Sequence, residues 1–223
     1  MSSVVVAVDG TSGSGKSTTS RGVASRLGLR YLDTGAQFRA MTWWLLQQGI
    51  DVHDADAVSD RCGEPTIESG TDPSAPEISV DGHDVADAIR SAEVTAAVSP
   101  VSTVPKVRAR LLDLQRSIIG SGGIVVEGRD IGSVVWPQAE VKVYLTADAA
   151  ARAHRRTTEH AHLGDATATR AQLLERDRID SGRATAPLTM AEGAVQLDTT
   201  DLTIEEVVEH IVALVETAGS RSR

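Results

Sequence analysis

Cysteine is all but missing from this sequence. Cys62 stands alone among 223 residues, so no intramolecular disulfide can form. A lone thiol fits a reducing compartment, and the cytoplasm is the expected location. Long apolar runs are missing too. Val4 to Val8 is a run of five with no basic lead-in, too short for a signal h-region or a membrane span. Basic residues are in the minority, 22 against 31 acidic, for a net charge of −9. A chain this acidic is poorly suited to wrapping nucleic acid. Any anionic ligand must be held by a local cluster of Arg and Lys. No internal repeat is visible. What is present, 41% hydrophobic and 24% charged residues, is ordinary for a globular domain long enough to bury a core without staples. One domain is slightly favoured by length.

Short apolar runs alternate with helical periodicity along the chain. Val4–Val8, Arg30–Leu32, Ile124–Val126, Val141–Leu145 and Val195–Leu197 read as strands. Lys16–Leu27 reads as a helix stopped by Gly28, and Ala36–Gln48 as one stopped by Gly49. Helices are also expected at Ala86–Val98, along Val104, Val107, Leu111, Leu114 and Ile118, and at Ala149–Thr158 and Arg170–Asp180. Thr203-Ile-Glu-Glu206 is a capping-box pattern opening a last helix to about Glu216, with a frayed tail after it. Between Gly63 and Gly82, Pro and Gly punctuate short alternating pieces, which read as a small β insertion. Strands alternating with helices predict an α/β fold on a parallel sheet.

Gly10-Thr-Ser-Gly-Ser-Gly-Lys16-Ser17 matches G-x-x-x-x-G-K-[ST], between a buried strand and a helix, as that motif requires. Glycines let the backbone curl so that its N–H groups converge on phosphate oxygens, and the helix N-terminus adds positive potential. Residues Gly10, Thr11, Ser12, Gly13, Ser14, Gly15, Lys16, Ser17 and Thr18 are the expected ATP-phosphate site. Lys16 would supply a point charge and Ser17 a ligand to Mg²⁺. No Asn-Lys-x-Asp guanine-reading motif is present. Beyond the strand that leads into this loop, no strand of four apolar residues ends in a lone Asp, and the nearest candidate ends in Glu127. A small phosphotransferase is therefore favoured over a GTPase or a motor.

Two further clusters follow strands: Asp33-Thr34-Gly-Ala-Gln-Phe38-Arg39 and Glu127-Gly-Arg129-Asp130. Carboxyl ends of parallel strands form the ligand crevice, so both should meet the phosphate loop there. Arg39 and Arg129 would then clamp a second anionic group. Later, Arg176, Asp180 and Arg183 share one helix face, and Arg152, Arg155 and Arg156 form a basic face. Arginines on a mobile lid would neutralise a dense phosphate cluster during transfer.

Together, Asp9-Gly10-x-Ser-Gly-x-Gly-Lys-Ser, Asp33-Thr-Gly-Ala-x-Phe-Arg39, Glu127-Gly-Arg-Asp-Ile-Gly and Arg183-x-x-x-Pro187-Leu188 resemble the bacterial cytidylate kinases. The resemblance implies a P-loop NTPase-like three-layer fold, with a five-stranded parallel sheet ordered 2-3-1-4-5. It implies a core at about 1–34, 122–151 and 184–219. A monophosphate-binding region at about 35–121 carries the β insertion, and a lid lies at about 152–183. It also implies roles. Thr34, Arg108, Asp130 and Arg183 would read the pyrimidine. Arg39 and Arg129 would hold the monophosphate. Ser99, Arg176 and Asp180 would contact the ribose. Lys16, Arg129, Arg152 and Arg156 would be catalytic, the last two on the lid side against ATP. Three positions depart from the family's frequent residues: Thr11 for Pro, Phe38 for Tyr and Glu127 for Asp. Glu127 reaches one methylene further, which matters if that carboxylate, or Asp33, orders waters on Mg²⁺.

The expected activity is transfer of the ATP γ-phosphoryl group to CMP or dCMP by a monomer that binds neither membrane nor nucleic acid. A kinase for another small acceptor, UMP or shikimate, and a non-enzymatic nucleotide switch are the alternatives.

Overall fold

A computed structural model describes residues 3–159, 166–183 and 185–221. The side chains of residues 156, 158, 159, 166–169, 172, 176 and 221 lie outside that description. The central sheet contains β1 (Val5–Gly10), β2 (Arg30–Asp33), β6 (Ile124–Glu127), β7 (Val141–Thr146) and β8 (Val195–Asp198). All are parallel, in the order β2-β6-β1-β7-β8. Counted within the sheet that order is 2-3-1-4-5, as expected. β1 is buried along its whole length because it lies at the centre, whereas β8 is an exposed edge.

Helices cover both faces. α1 (Lys16–Leu27) and α8 (Ile204–Arg221) pack on one face, where Val6, Val8, Tyr31, Val125 and Val143 meet Val207, Val208, Ile211 and Val215. Burying each such side chain contributes about 1.5–3 kcal/mol. Thr203 and Glu206 form the expected capping box, each satisfying the other's N–H at 2.8 and 3.3 Å. On the other face Val5, Ala7, Leu32 and Val126 pack against Ile119 and Ile131.

A separate core gathers α2 (Thr34–Gln47), α3 (Ala55–Arg61), α4 (Ala92–Thr103) and α5 (Pro105–Ile119) around a small antiparallel sheet. That sheet is β3 (Ile67–Ser69), β4 (Ile78–Val80) and β5 (His83–Asp84). The β insertion was legible as two strands. The third exists because Asp81 and Gly82, with φ of 51° and 76°, make the two-residue left-handed turn that returns the chain.

The helix expected at Ala86–Val98 is not continuous. A single 3₁₀ turn covers Ala88–Arg90, and α4 starts afresh after Ser91, whose side chain accepts from the Val94 N–H at 3.3 Å. α4 then runs through Pro100 to Thr103 rather than stopping at Val98. α3 was not foreseen; Asp54 caps it with two hydrogen bonds of 3.0 Å. α6 (Ala149–Glu159) and α7 (Ala166–Gly182) pack against each other at the carboxyl edge of the main sheet. α8 continues to Arg221, so the tail expected to fray from Gly219 is helical as far as it is described. Among the described residues, no helix is long and apolar enough to cross a membrane.

Candidate active site

The loop between β1 and α1 is shaped by its glycines. Gly10 has φ 146°, and a Cβ there would lie 2.1 Å from the Leu145 carbonyl oxygen, so no side chain fits. Gly15, at φ 88°, turns the chain into α1 with its N–H groups unoccupied by any side-chain cap. Lys16 folds back, donating from Nζ to the Thr11 carbonyl at 2.7 Å. Burial, then the Arg129 charge, push its amine down to about 7.

Asp9 anchors the loop from below. Its carboxylate accepts from the Ile131 and Gly132 N–H groups at 2.7 and 2.8 Å, fixing the π-helical turn Ile131–Val135 against β1. Burial nevertheless raises this carboxyl to about 6.

Beside the loop lies a carboxylate corner. β2 and β6 pair in register so that Asp33 and Glu127 are neighbours at the carboxyl edge. Ser17 donates to Glu127 Oε2 at 3.1 Å, and the Tyr31 phenol donates to Oε1. Burial and the Asp33 charge raise Glu127 to about 7, and burial beside Glu127 pushes the Tyr31 phenol far up, leaving it a protonated donor. Asp33 also caps α2, accepting from the Ala36 N–H at 3.0 Å. A hydroxyl and two carboxylates form an all-oxygen donor set, which suits Mg²⁺ held by few protein groups and by substrate phosphates. Among the described residues, no cluster of three or more His, Cys, Asp or Glu competes with it.

The wall facing the loop is built from paired charges. Arg108 and Asp130 form a buried ion pair, with Arg108 also donating to the Ser102 carbonyl at 3.2 Å and lying 5.3 Å from the Phe38 ring centre. Arg129 bridges the two halves: it donates to the Gly10 carbonyl at 2.5 Å and pairs with Asp180 at 2.9 Å. Arg183 approaches the same Asp180 at 3.5 Å, and its Nη2 has no hydrogen-bond partner among the described residues. Arg39 donates to the Ile89 carbonyl and Thr95 hydroxyl at 3.2 and 3.0 Å. Thr34 donates to the Glu127 carbonyl at 2.7 Å.

One cavity of about 430 Å³ runs between these two sides. Its wall includes Ser12, Gly13, Gly15, Lys16, Ser17 and Thr18 from the loop and, facing them, Thr34, Arg39, Ser99, Arg108, Arg129, Asp130, Asp180 and Arg183. Gly10, Thr11 and Ser14 shape the loop from behind without lining the cavity. Arg152 does not line it either. It is buried on the loop's outer shoulder, donating to the Ser12 carbonyl at 2.9 Å and pairing with Asp177, which in turn accepts from the Ser12 N–H at 3.1 Å. Arg155 is bound to Thr199 at 2.9 Å. The side chains of Arg156 and Arg176 lie outside the described residues. Arg21, Arg90 and Ser102 also line the wall and carried no sequence signal. Tyr31 was missed as well, since one strand residue reveals nothing of its partner until β2 and β6 are aligned.

A family model described as cytidylate kinase matches residues 6–217. The chain belongs to the cytidylate kinase family. It is 56% identical over 215 residues to a cytidylate kinase of Streptomyces avermitilis, covering 96% of this chain and 93% of that one. To a cytidylate kinase of Rhodococcus opacus it is 47% identical over 218 residues, covering 96% and 95%. An uncharacterized protein of Eubacterium ventriosum matches in structure with TM-score 0.53 at 8% identity, covering 96% and 99%, and so shares the fold alone. Within the cytidylate kinase fold seen here, the strand ends of β1, β2 and β6 bring every one of the first three motifs to one cavity.

Proposed function

We propose that this protein transfers the γ-phosphoryl group of ATP to CMP or dCMP, releasing ADP and the diphosphate. The observation that carries the reading is a cavity with a phosphate loop on one wall and an arginine–aspartate array on the other. A nucleotide switch needs no second anion site, and shikimate needs no base reader.

In this reading the loop N–H groups and Lys16 hold the β- and γ-phosphates of ATP. Lys16 leaves the Thr11 carbonyl to do so, because phosphate oxygens are stronger acceptors than a neutral carbonyl. Arg39 and Arg129 hold the acceptor phosphate. Arg129 lies against the Gly10 carbonyl, between loop and acceptor, where charge builds during transfer. Asp130 accepts from the cytosine amine, while Arg108 and Arg183 donate to the ring acceptors. Ser99, Arg176 and Asp180 serve the ribose. The acceptor oxygen is already anionic, so alignment and charge neutralisation suffice without a strong base. Ser17, with Asp33 or Glu127 through water, would hold Mg²⁺, whose charge would help neutralise the phosphates.

We take 35–121 as the monophosphate-binding region and 152–183 as the lid, on a core of about 1–34, 122–151 and 184–219. Arg152 and Arg156 act from that lid. Arg152 tied to the loop shoulder would steady the lid's docking, and it reaches phosphate only if Asp177 releases it. The protein acts as a cytoplasmic monomer on this reading.

ADP release from Mg²⁺·ATP tests the proposal. Steady turnover is expected with CMP or dCMP and only background without an acceptor. Equal turnover with and without the monophosphate would contradict it.

A further inference from the structure

The carboxylate corner contains one side chain that no proposed role uses. Tyr31 is 2% exposed, and its hydroxyl reaches Glu127 Oε1 while Ser17 holds Oε2. Both oxygens of the carboxylate are therefore fixed by donors from different elements, one from β2 and one from α1. The strand register explains the reach. Tyr31 lies two residues before Asp33 on the same face of β2, and Asp33 is level with Glu127 on β6. Glu127 and Tyr31 are therefore offset by two residues along the sheet, and the additional methylene of Glu127 lengthens its reach to the phenol. An aspartate would stop one methylene short of the phenol. Asp33 stands beside it as a second negative charge, whose repulsion would swing a long, unheld carboxylate away.

We propose that Tyr31 is a positioning residue: its hydroxyl locks the Glu127 carboxylate toward Ser17, in the orientation that serves Mg²⁺ bound with ATP. This rests on the reading that Glu127 faces the metal. The ring's packing in the core beneath α1 is a separate, purely structural contribution. A Tyr-to-Phe change keeps the ring and removes only the lock.

The test is a double-mutant cycle of Tyr31→Phe and Glu127→Asp, with two readouts. One is the half-saturating Mg²⁺ concentration at fixed ATP and CMP. The other is calorimetric affinity for Mn²⁺·ADP, which needs no turnover. Tyr31→Phe should weaken both by about tenfold, the size of one hydrogen bond to a charged group, with KM for CMP unchanged. In the Glu127→Asp background, Tyr31→Phe should add nothing, because the shorter carboxylate never reaches the phenol. Unchanged metal dependence in Tyr31→Phe, or equal losses in both backgrounds, would overturn the proposal. If Glu127→Asp and Glu127→Ala also leave the metal dependence unchanged, the metal role of Glu127 falls as well, which separates the two failures. The chain has two tyrosines, Tyr31 and Tyr144, so 3-fluorotyrosine labelling gives a readout that does not depend on Tyr31→Phe folding. The Tyr31 resonance should move on adding Mg²⁺·ADP in the native chain and stay still in Glu127→Asp. A resonance that moves equally in both would also overturn the proposal.

Discussion

The two walls of the cavity are built in opposite ways. The donor wall is backbone: a loop curled by glycines of positive φ, offering N–H groups and one lysine. The acceptor wall is side chains drawn from α2, α5, the segment after β6 and the end of α7, balanced into pairs such as Arg108–Asp130 and Arg129–Asp180. A backbone cradle recognises phosphate whatever it is attached to. A set of oriented charges can recognise one base. On the proposed function, this difference puts turnover chiefly on the first wall and choice of acceptor on the second, with Arg129 touching both.

Lys16→Ala is the strongest way to break this division. Turnover should fall on the order of 10²–10³, the effect of losing one preorganised transition-state donor. CMP affinity, measured by calorimetry, should stay the same. A parallel loss of CMP affinity would show that the walls are not separable.

Arg129→Ala comes next. It removes the group that bridges Gly10 and Asp180, so both kcat and CMP affinity should drop, with kcat/KM down on the order of 10². A loss confined to one of the two parameters would place Arg129 on a single wall.

Asp130→Ala should be milder in total and sharper in kind. Cytosine presents an amine donor where uracil presents a carbonyl acceptor. Removing the carboxylate should shrink the CMP:UMP ratio of kcat/KM by at least roughly tenfold, about 1.4 kcal/mol. It also leaves Arg108 buried without its ion-pair partner, so melting temperature should fall and both substrates should lose rate. An unchanged ratio would make Asp130 a structural partner only.

The smallest effect belongs to Asp9, which joins the walls from below. Its carboxyl sits at about 6 in the folded chain against 3.8 ordinarily, so the folded state favours the neutral form. That contribution to stability is full below about 3.8 and is lost as pH rises through about 6. Melting temperature of the wild type should therefore decline relative to Asp9→Asn between those values and run parallel to it above them. Parallel curves throughout would contradict a raised Asp9.

This contrast also explains what could be read from sequence. The donor wall is one contiguous stretch flanked by a strand and a helix, so its local pattern sufficed. The main sheet was similarly legible, because β1 and β6 are short Val-rich apolar runs and β7 places Val141, Val143 and Leu145 at alternate positions. Acceptor residues Arg39, Arg129 and Asp130 follow strand ends and were reachable by topology. Arg108 and Ser99 lie inside helices, where no local pattern marks them; only the family resemblance pointed there. The break at Ser91 was hidden because Ala86–Val98 is apolar throughout its periodic positions, and a single serine decides where the helix restarts. Tyr31 and Asp177 depend on partners 96 and 165 residues away, at Glu127 and Ser12, which no window along the chain contains.

On the proposed function, one cavity joins a general phosphate cradle to a cytosine reader. The most direct test is kcat/KM for CMP, dCMP, UMP, AMP and shikimate, with Mg²⁺·ATP as donor. CMP and dCMP should lead, with UMP behind by about 10² or more because its N3–H and C4 carbonyl meet donors and a carboxylate of the wrong sense. AMP or shikimate turned over faster than CMP would contradict the account.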